Sequence, residues 1–168
     1  LRNADLGGAK MRKVNLVHAN LRDTGIGETT KISDKWRLIW EILNNGAEGR
    51  NLSNADLSGA DLRYVDLSRI DLSGADLSGA DLGEANLSAA DLRNSNLSKT
   101  RLTGVNLKDA IVSGVNLEES QYEAASSPNS DFLGGLRGLS TVWFEEGKQS
   151  GLLMLRADLK DAGLRNLE

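Results

Sequence analysis

The 168-residue sequence predicts an all-β solenoid, and three observations carry that expectation. Leucine recurs every five residues from Leu52 to Leu107, and the same spacing continues through Val112, Leu117 and Tyr122. A small or β-branched residue stands two places before nearly every one of these centres; Arg50 is the departure. Gly and Ser recur just after them, as in "SGADLSGADLGEANL" at 73–87.

A spacing of two between inward residues is the strand period, so each repeat reads as a short extended piece followed by a turn. On a helix a period of five would walk the leucines around the whole circumference and leave no apolar stripe. Strand plus turn, repeated, builds a solenoid in which each coil covers its neighbour's apolar layer. Aromatics supply only 4% of the residues, which suits a core made of small repeated parts.

The unit Ala-(Asp/Asn)-Leu-x-x, as in Ala75-Asp76-Leu77-Ser78-Gly79, resembles the pentapeptide-repeat family over residues 1–26 and 50–122. That resemblance implies a right-handed quadrilateral β-helix with four repeats per coil. Residues 20 apart would then stack, placing Leu52, Leu72, Leu92 and Val112 in one inward ladder and Leu57, Leu77, Leu97 and Leu117 in the next. Coils would lie about 4.8 Å apart.

Taken in order, residues 1–26 form N-terminal repeats centred on Leu1, Leu6, Met11, Leu16, Leu21 and Ile26, one residue out of register with the main array. Residues 27–51 read as a helical insertion. Trp36, Ile39, Trp40 and Leu43 fall at i, i+3, i+4 and i+7, Ser33 is a cap candidate, and Asn44-Asn45-Gly46 a stop, giving an α-helix of about eleven residues. Its aromatic stripe is expected to pack on the protein itself. Because the repeats resume with unchanged chemistry, the helix is expected to leave the solenoid sideways, with the register change absorbed in the loop. The main β-helix spans 52–132, ending on Ser130-Asp131-Phe132 after Pro128.

Residues 133–168 read as a helical C-terminal cap, with Ser150 as N-cap, Leu152, Leu155 and Leu159 on one face and Gly163 as stop. A last coil exposes apolar surface and unpaired strand edges, so some closing element is required. The N-terminal coil shows no equivalent, which suggests truncation or a coil end used in self-association.

Chemistry finds little purchase in this pattern. With no Cys, thiolate catalysis, Cys-based zinc sites and disulfides are excluded. A Leu-filled square coil leaves no cavity for a nucleophile, base and oxyanion site to converge, and the single His, His18, falls outward on a corner. No catalytic, cofactor-binding or metal-ligating residue is expected, so the chain reads as a non-enzyme. A net charge of −4 and a pI near 5.1 argue against direct nucleic-acid binding. No apolar run reaches the roughly 20 residues of a membrane span, so a soluble protein is expected. The compartment is left open, with cytoplasm favoured slightly over periplasm or lumen.

Asp56, Asp61, Asp66, Asp71, Asp76 and Asp81 occupy six successive repeats, facing out. As turn residues they cap the corners and keep the surface soluble. The family resemblance implies a rival reading, an acidic rod that mimics DNA and modulates DNA gyrase. Stacking by 20 gives no line longer than two acids, and residues 52–122 carry eight Asp and three Glu against four Arg and two Lys, a net of −5. Calcium would need about 6–8 converging oxygens, which a scattered grid does not offer.

The favoured reading is a rigid protein-interaction scaffold whose partner, a protein, is not written in the repeats; the helical insertion together with a helical end resembles repeat proteins abundant in cyanobacteria, which implies a bacterial source. A regular solenoid needs no interruption, so the exposed parts of the insertion around Lys35, Arg37 and Glu41 are the candidate partner-binding residues. An enzyme with its site between the insertion helix and the coil wall is the reading from another class.

Overall fold

The structure, a computed structural model, describes residues 1–123, 143–146 and 152–156. Its repeating unit follows from two kinds of backbone bond. Within a repeat, a turn closes between the inward leucine and the residue three places on, as where Ala80 N–H donates to the Leu77 carbonyl at 3.0 Å. Between coils, Leu57 N–H donates to Asp76 O at 2.8 Å, Asp76 N–H to Ala55 O at 2.9 Å, and Gly59 N–H to Ser78 O at 2.8 Å. These bonds tie each repeat to the one 20 residues later. Parallel bridges accordingly join Asp56, Asp76, Asn96 and Asn116 on one wall, Asp61, Asp81, Arg101 and Gln121 on the next, then Asp66, Asn86 and Asn106, then Asn51, Asp71, Asp91 and Ile111. Four repeats therefore make one coil.

The interior is the leucine ladder. Every centre from Leu52 to Leu102 is at most 1% exposed, and Ala60, Ala75, Ala80, Ala85, Ala90 and Ala110 fill the narrower inward places. Burial of each leucine contributes about 1.5–3 kcal/mol, so the ladders dominate stability. Tight corners have a backbone cost. Two residues past the centre the chain turns left-handed, with φ +64° at Gly79, but also +61° at Tyr64 and +56° at Ala89, where a Cβ is strained.

In the N-terminal repeats Asp5 bridges Gly25 at the regular offset of 20, whereas Lys10 bridges Lys31 at 21. The extra residue therefore sits between Ile26 and Ile32, ahead of the helix. Ile32, 7% exposed, is the inward centre, and twenty residues separate it from Leu52. The inward register resumes as though one full coil had been written.

Helix α1, Asp34–Asn45, occupies that interval. Ser33 is its N-cap in extended conformation, without a side-chain capping bond, and Gly46 closes the C-terminus at φ +80°, its N–H reaching Ile42 O. Trp36, Ile39 and Ile42 are buried; Trp40 and Leu43 are only half-buried. Its hydrogen bonds seat this helix against the second coil. α1 covers the open edge of the second coil, where Arg37, Trp40 and Asn44 meet backbone groups that a further coil would otherwise reach.

The C-terminal expectation is corrected. Strand β1, Ser120–Glu123, belongs to the last coil, since Gln121 bridges Arg101 in parallel. On its other edge β1 pairs antiparallel with β3, Leu152–Arg156, which in turn pairs with β2, Trp143–Glu146, in the order β1-β3-β2. Leu152 and Leu155, read as one face of a helix, thus lie in a strand. A short apolar run such as Leu152-Leu153-Met154-Leu155 fits helix or strand by pattern alone, and the open edge of β1 offers backbone partners that decide it. Pro128, Ser130-Asp131-Phe132, Ser150, Leu159 and Gly163 lie outside the described residues.

Candidate functional site

The departure from the repeats at α1 is where the sequence placed its candidate residues, and each of them is engaged with the protein's own chain. The Lys35 ammonium lies 2.8 Å from Asp56 Oδ1, donates to Ser58 Oγ at 2.6 Å, and sits 5.1 Å from the centre of the Trp36 ring. Burial pushes the Asp56 carboxyl up, but the hydrogen bonds from Lys35 and Ser58 outweigh it and hold the group below the usual carboxylate range. Glu41 pairs with Arg50 at 2.7 Å where the chain returns to the repeats. Arg37 donates to the carbonyl of Thr30 at 2.9 Å.

Arg37 is one of three side chains that treat the second coil's edge alike. In the regular array the carbonyl two places before each centre accepts the next coil's amide, as Ala55 O accepts Asp76 N–H. Thr30 and Thr24 hold that place in the second coil, before Ile32 and Ile26. Arg37 serves Thr30 O, and the indole N–H of Trp40 serves Thr24 O at 2.7 Å. Asn44 completes the set: its Oδ1 accepts Asp23 N–H at 2.7 Å while its amide donates to Leu21 O at 3.0 Å. Residues 37, 40 and 44 share one helix face, so α1 presents a row of groups that imitate a strand edge. Thr24 and Thr30 are 3% and 2% exposed, so leaving their carbonyls unmet would cost about 1–3 kcal/mol each.

On its other side α1 meets the main array through Lys35, Asp56 and Ser58. The two stacks also touch directly, His18 N–H donating to Gly59 O at 2.7 Å and the Arg22 guanidinium to Arg63 O. His18 lies at a left-handed corner, φ +56°, as its place two residues after Leu16 implies.

The aspartates of the walls are occupied as well. Among the described residues, all fifteen Asp and Asn that precede an inward centre accept, through Oδ1, the backbone N–H two residues on; Asp76 binds Ser78 N–H at 2.9 Å and Asn96 binds Ser98 N–H at 3.1 Å. Where an Asn follows an acid in the stack, its amide reaches back along the wall, Asn86 to Asp66 and Asn96 to Asp76. On the wall of 61, 81 and 101, Arg63 grips Asp61 at 2.8 Å, and Arg101 stands 3.5 Å from Asp81. Burial pushes the Asp61 carboxyl up, but the bonds and charge of Arg63 outweigh it and lower it overall, which makes it a poor base.

Two shallow depressions adjoin these features. One of about 530 Å³ runs beside His18, Asp61, Arg63, Asp81, Lys99 and Arg101. The other, about 590 Å³, lies between the loop after α1 and the wall at Asp66, Ser68 and Arg69. Asp66 there binds the Ser68 amide and is lowered by it, so the acid is committed to its turn. Sequence reasoning missed the edge-serving roles of Trp40 and Asn44; the only signal available was their spacing from Arg37.

The repeat pattern of the family described as Pentapeptide repeats matches the chain in 8 copies, over residues 1–25, 51–88 and 85–120, more than half of its length. No curated protein sequence matches it. Among solved structures, a pentapeptide repeat protein from the Arabidopsis thaliana thylakoid lumen is 23% identical over 53% of this chain and 74% of its own, with a TM-score of 0.35. Rfr23 from the cyanobacterium Cyanothece 51142 is 44% identical over 42% of this chain and 54% of its own, with a TM-score of 0.22. HetL from Nostoc, described as involved in heterocyst differentiation regulation, is 29% identical over 71% of this chain and 58% of its own, with a TM-score of 0.27. Among the described residues no helix is long and apolar enough to cross a membrane.

Proposed function

The chain belongs to the pentapeptide repeat family, and from that premise we propose that it is a non-enzymatic, rigid scaffold for protein interaction, with 1–26 and 52–132 as solenoid and 27–51 as insertion. One observation carries the reading: among the described residues every outward Asp and Asn before an inward centre is bound to a turn amide, so the polar residues that repeat serve shape. A wall of this kind holds its exposed side chains at fixed spacing, and that pre-organisation favours binding of a partner. The DNA-mimicking modulator of gyrase draws less support, because Arg63 and Arg101 stand beside Asp61 and Asp81 and break the acidic line.

The test is affinity capture from extracts of the native host, with the wild-type chain and the core variant Leu77→Lys as bait. A discrete protein partner held by the wild type and lost with the fold supports the scaffold. Capture of none, or turnover of a small substrate by the purified chain, would overturn it. A supercoiling assay with purified gyrase is expected to show neither inhibition nor protection from a quinolone.

A further inference from the structure

The positions that precede an inward centre are where this fold gains a turn-closing hydrogen bond from Asp or Asn. Positions 10 and 31 carry Lys, and the two are stacked on each other by a parallel bridge. Lys10 offers no oxygen to the turn amide of Arg12, Lys31 leads into α1 instead of a turn, and like charges on adjacent strands repel. The fold thus gives up a local turn bond at Lys10 and sets two cations together.

Arg12 and Lys13 join them around a depression of about 450 Å³. None of the four forms an ion pair or donates a side-chain hydrogen bond among the described residues, although Glu28 and Asp34 flank Lys31 in sequence. This contrasts with Arg63 and Arg93, each gripping an aspartate two residues before it. A local conflict with no internal compensation marks a place kept for a partner.

We propose that Lys10, Arg12, Lys13 and Lys31 form a docking site for an acidic segment of a partner protein, an inference that rests on the scaffold reading. The occupant follows from charge. An extended polyanion, duplex nucleic acid or an anionic membrane, would also face the main array, whose residues 52–122 carry a net of −5 and repel it. A short acidic peptide touches the four cations alone.

The test uses fluorescence anisotropy with a labelled deca-glutamate, a DNA oligonucleotide of equal charge, and vesicles containing anionic phospholipid, at low and at physiological salt. The peptide is expected to bind, more weakly as salt rises. The double substitution Lys10→Asn with Lys31→Asn is expected to weaken it by at least about tenfold, while Lys108→Asn leaves it unchanged. The same double variant should melt higher, by about 2–4 °C, since it restores the turn bond at Arg12 and removes the repulsion. Unchanged binding in the variant, a lower melting temperature, or tighter binding of DNA or vesicles than of the peptide overturns the proposal. A native partner still captured by the double variant would remove this site and leave the scaffold reading intact; peptide binding without any native partner would do the reverse.

Discussion

The indole N–H of Trp40 donates to the main-chain carbonyl of Thr24 at 2.7 Å, where the amide of a further coil would otherwise arrive. A helix side chain thereby stands in for a strand. Trp40→Phe keeps most of the ring's packing and removes only the donor. It is expected to cost about 1–3 kcal/mol, the cost of a buried carbonyl left unmet, read from chemical denaturation with an unchanged m-value.

The leucine ladder makes a harsher demand. Leu77 is fully buried between coils, and Leu77→Ala is expected to cost about 2–5 kcal/mol in chemical denaturation. Leu77→Lys should unfold or split the array. A melting curve unchanged by the lysine would contradict the stacking.

Ala89 tests the corners with the opposite sign. It holds φ +56°, a conformation that strains any Cβ, while its N–H donates to Lys108 O at 2.7 Å. Ala89→Gly keeps the bond and relieves the strain. Glycine usually destabilises a chain, but here a gain of up to about 1 kcal/mol is expected, measured as a higher denaturation midpoint.

Acid should weaken the solenoid. Bonds from the Ser68 amide and hydroxyl lower Asp66, those from Ser73 lower Asp71, and the Arg93 side chain lowers Asp91, each from an ordinary value of 3.8. A carboxyl depressed in the folded state contributes stability that is fully present above its unfolded pKa and disappears as pH falls through the folded one. Melting temperature should therefore hold steady above pH 5 and drop below about pH 4. Asp71→Asn keeps the turn acceptor and should soften that drop.

The repeats were legible because their signal is local and redundant. One leucine every five residues states the strand, the turn and, through a period of 20, the stacking of Asp56 on Asp76 and of Leu57 beneath Leu77. The outward aspartates were readable for the same reason: an Asp or Asn two residues before a turn amide suggests its own bond. The seat of α1 on the coil edge was not readable, because it depends on Arg37, Trp40 and Asn44 meeting carbonyls and amides 7 to 23 residues away in sequence. Arg37 looked like a solvent-facing charge for that reason. The strand at Leu152–Arg156 was hidden in an apolar run whose fate is set by the edge of β1. Lys10 and Lys31 passed unnoticed because the extra residue between Ile26 and Ile32 hides their stacking from a count of twenty.

That α1 is built into the solenoid as a substitute for a coil is tested most directly by native-state hydrogen exchange at the Asp23 amide, which donates to Asn44 Oδ1. In the wild type this amide should be strongly protected, and Asn44→Ala should reduce that protection by about tenfold or more while the Leu77 amide, deep in the main array, keeps its own. An Asp23 amide that exchanges at the rate of an open loop in the wild type, or one indifferent to Asn44→Ala, would contradict it.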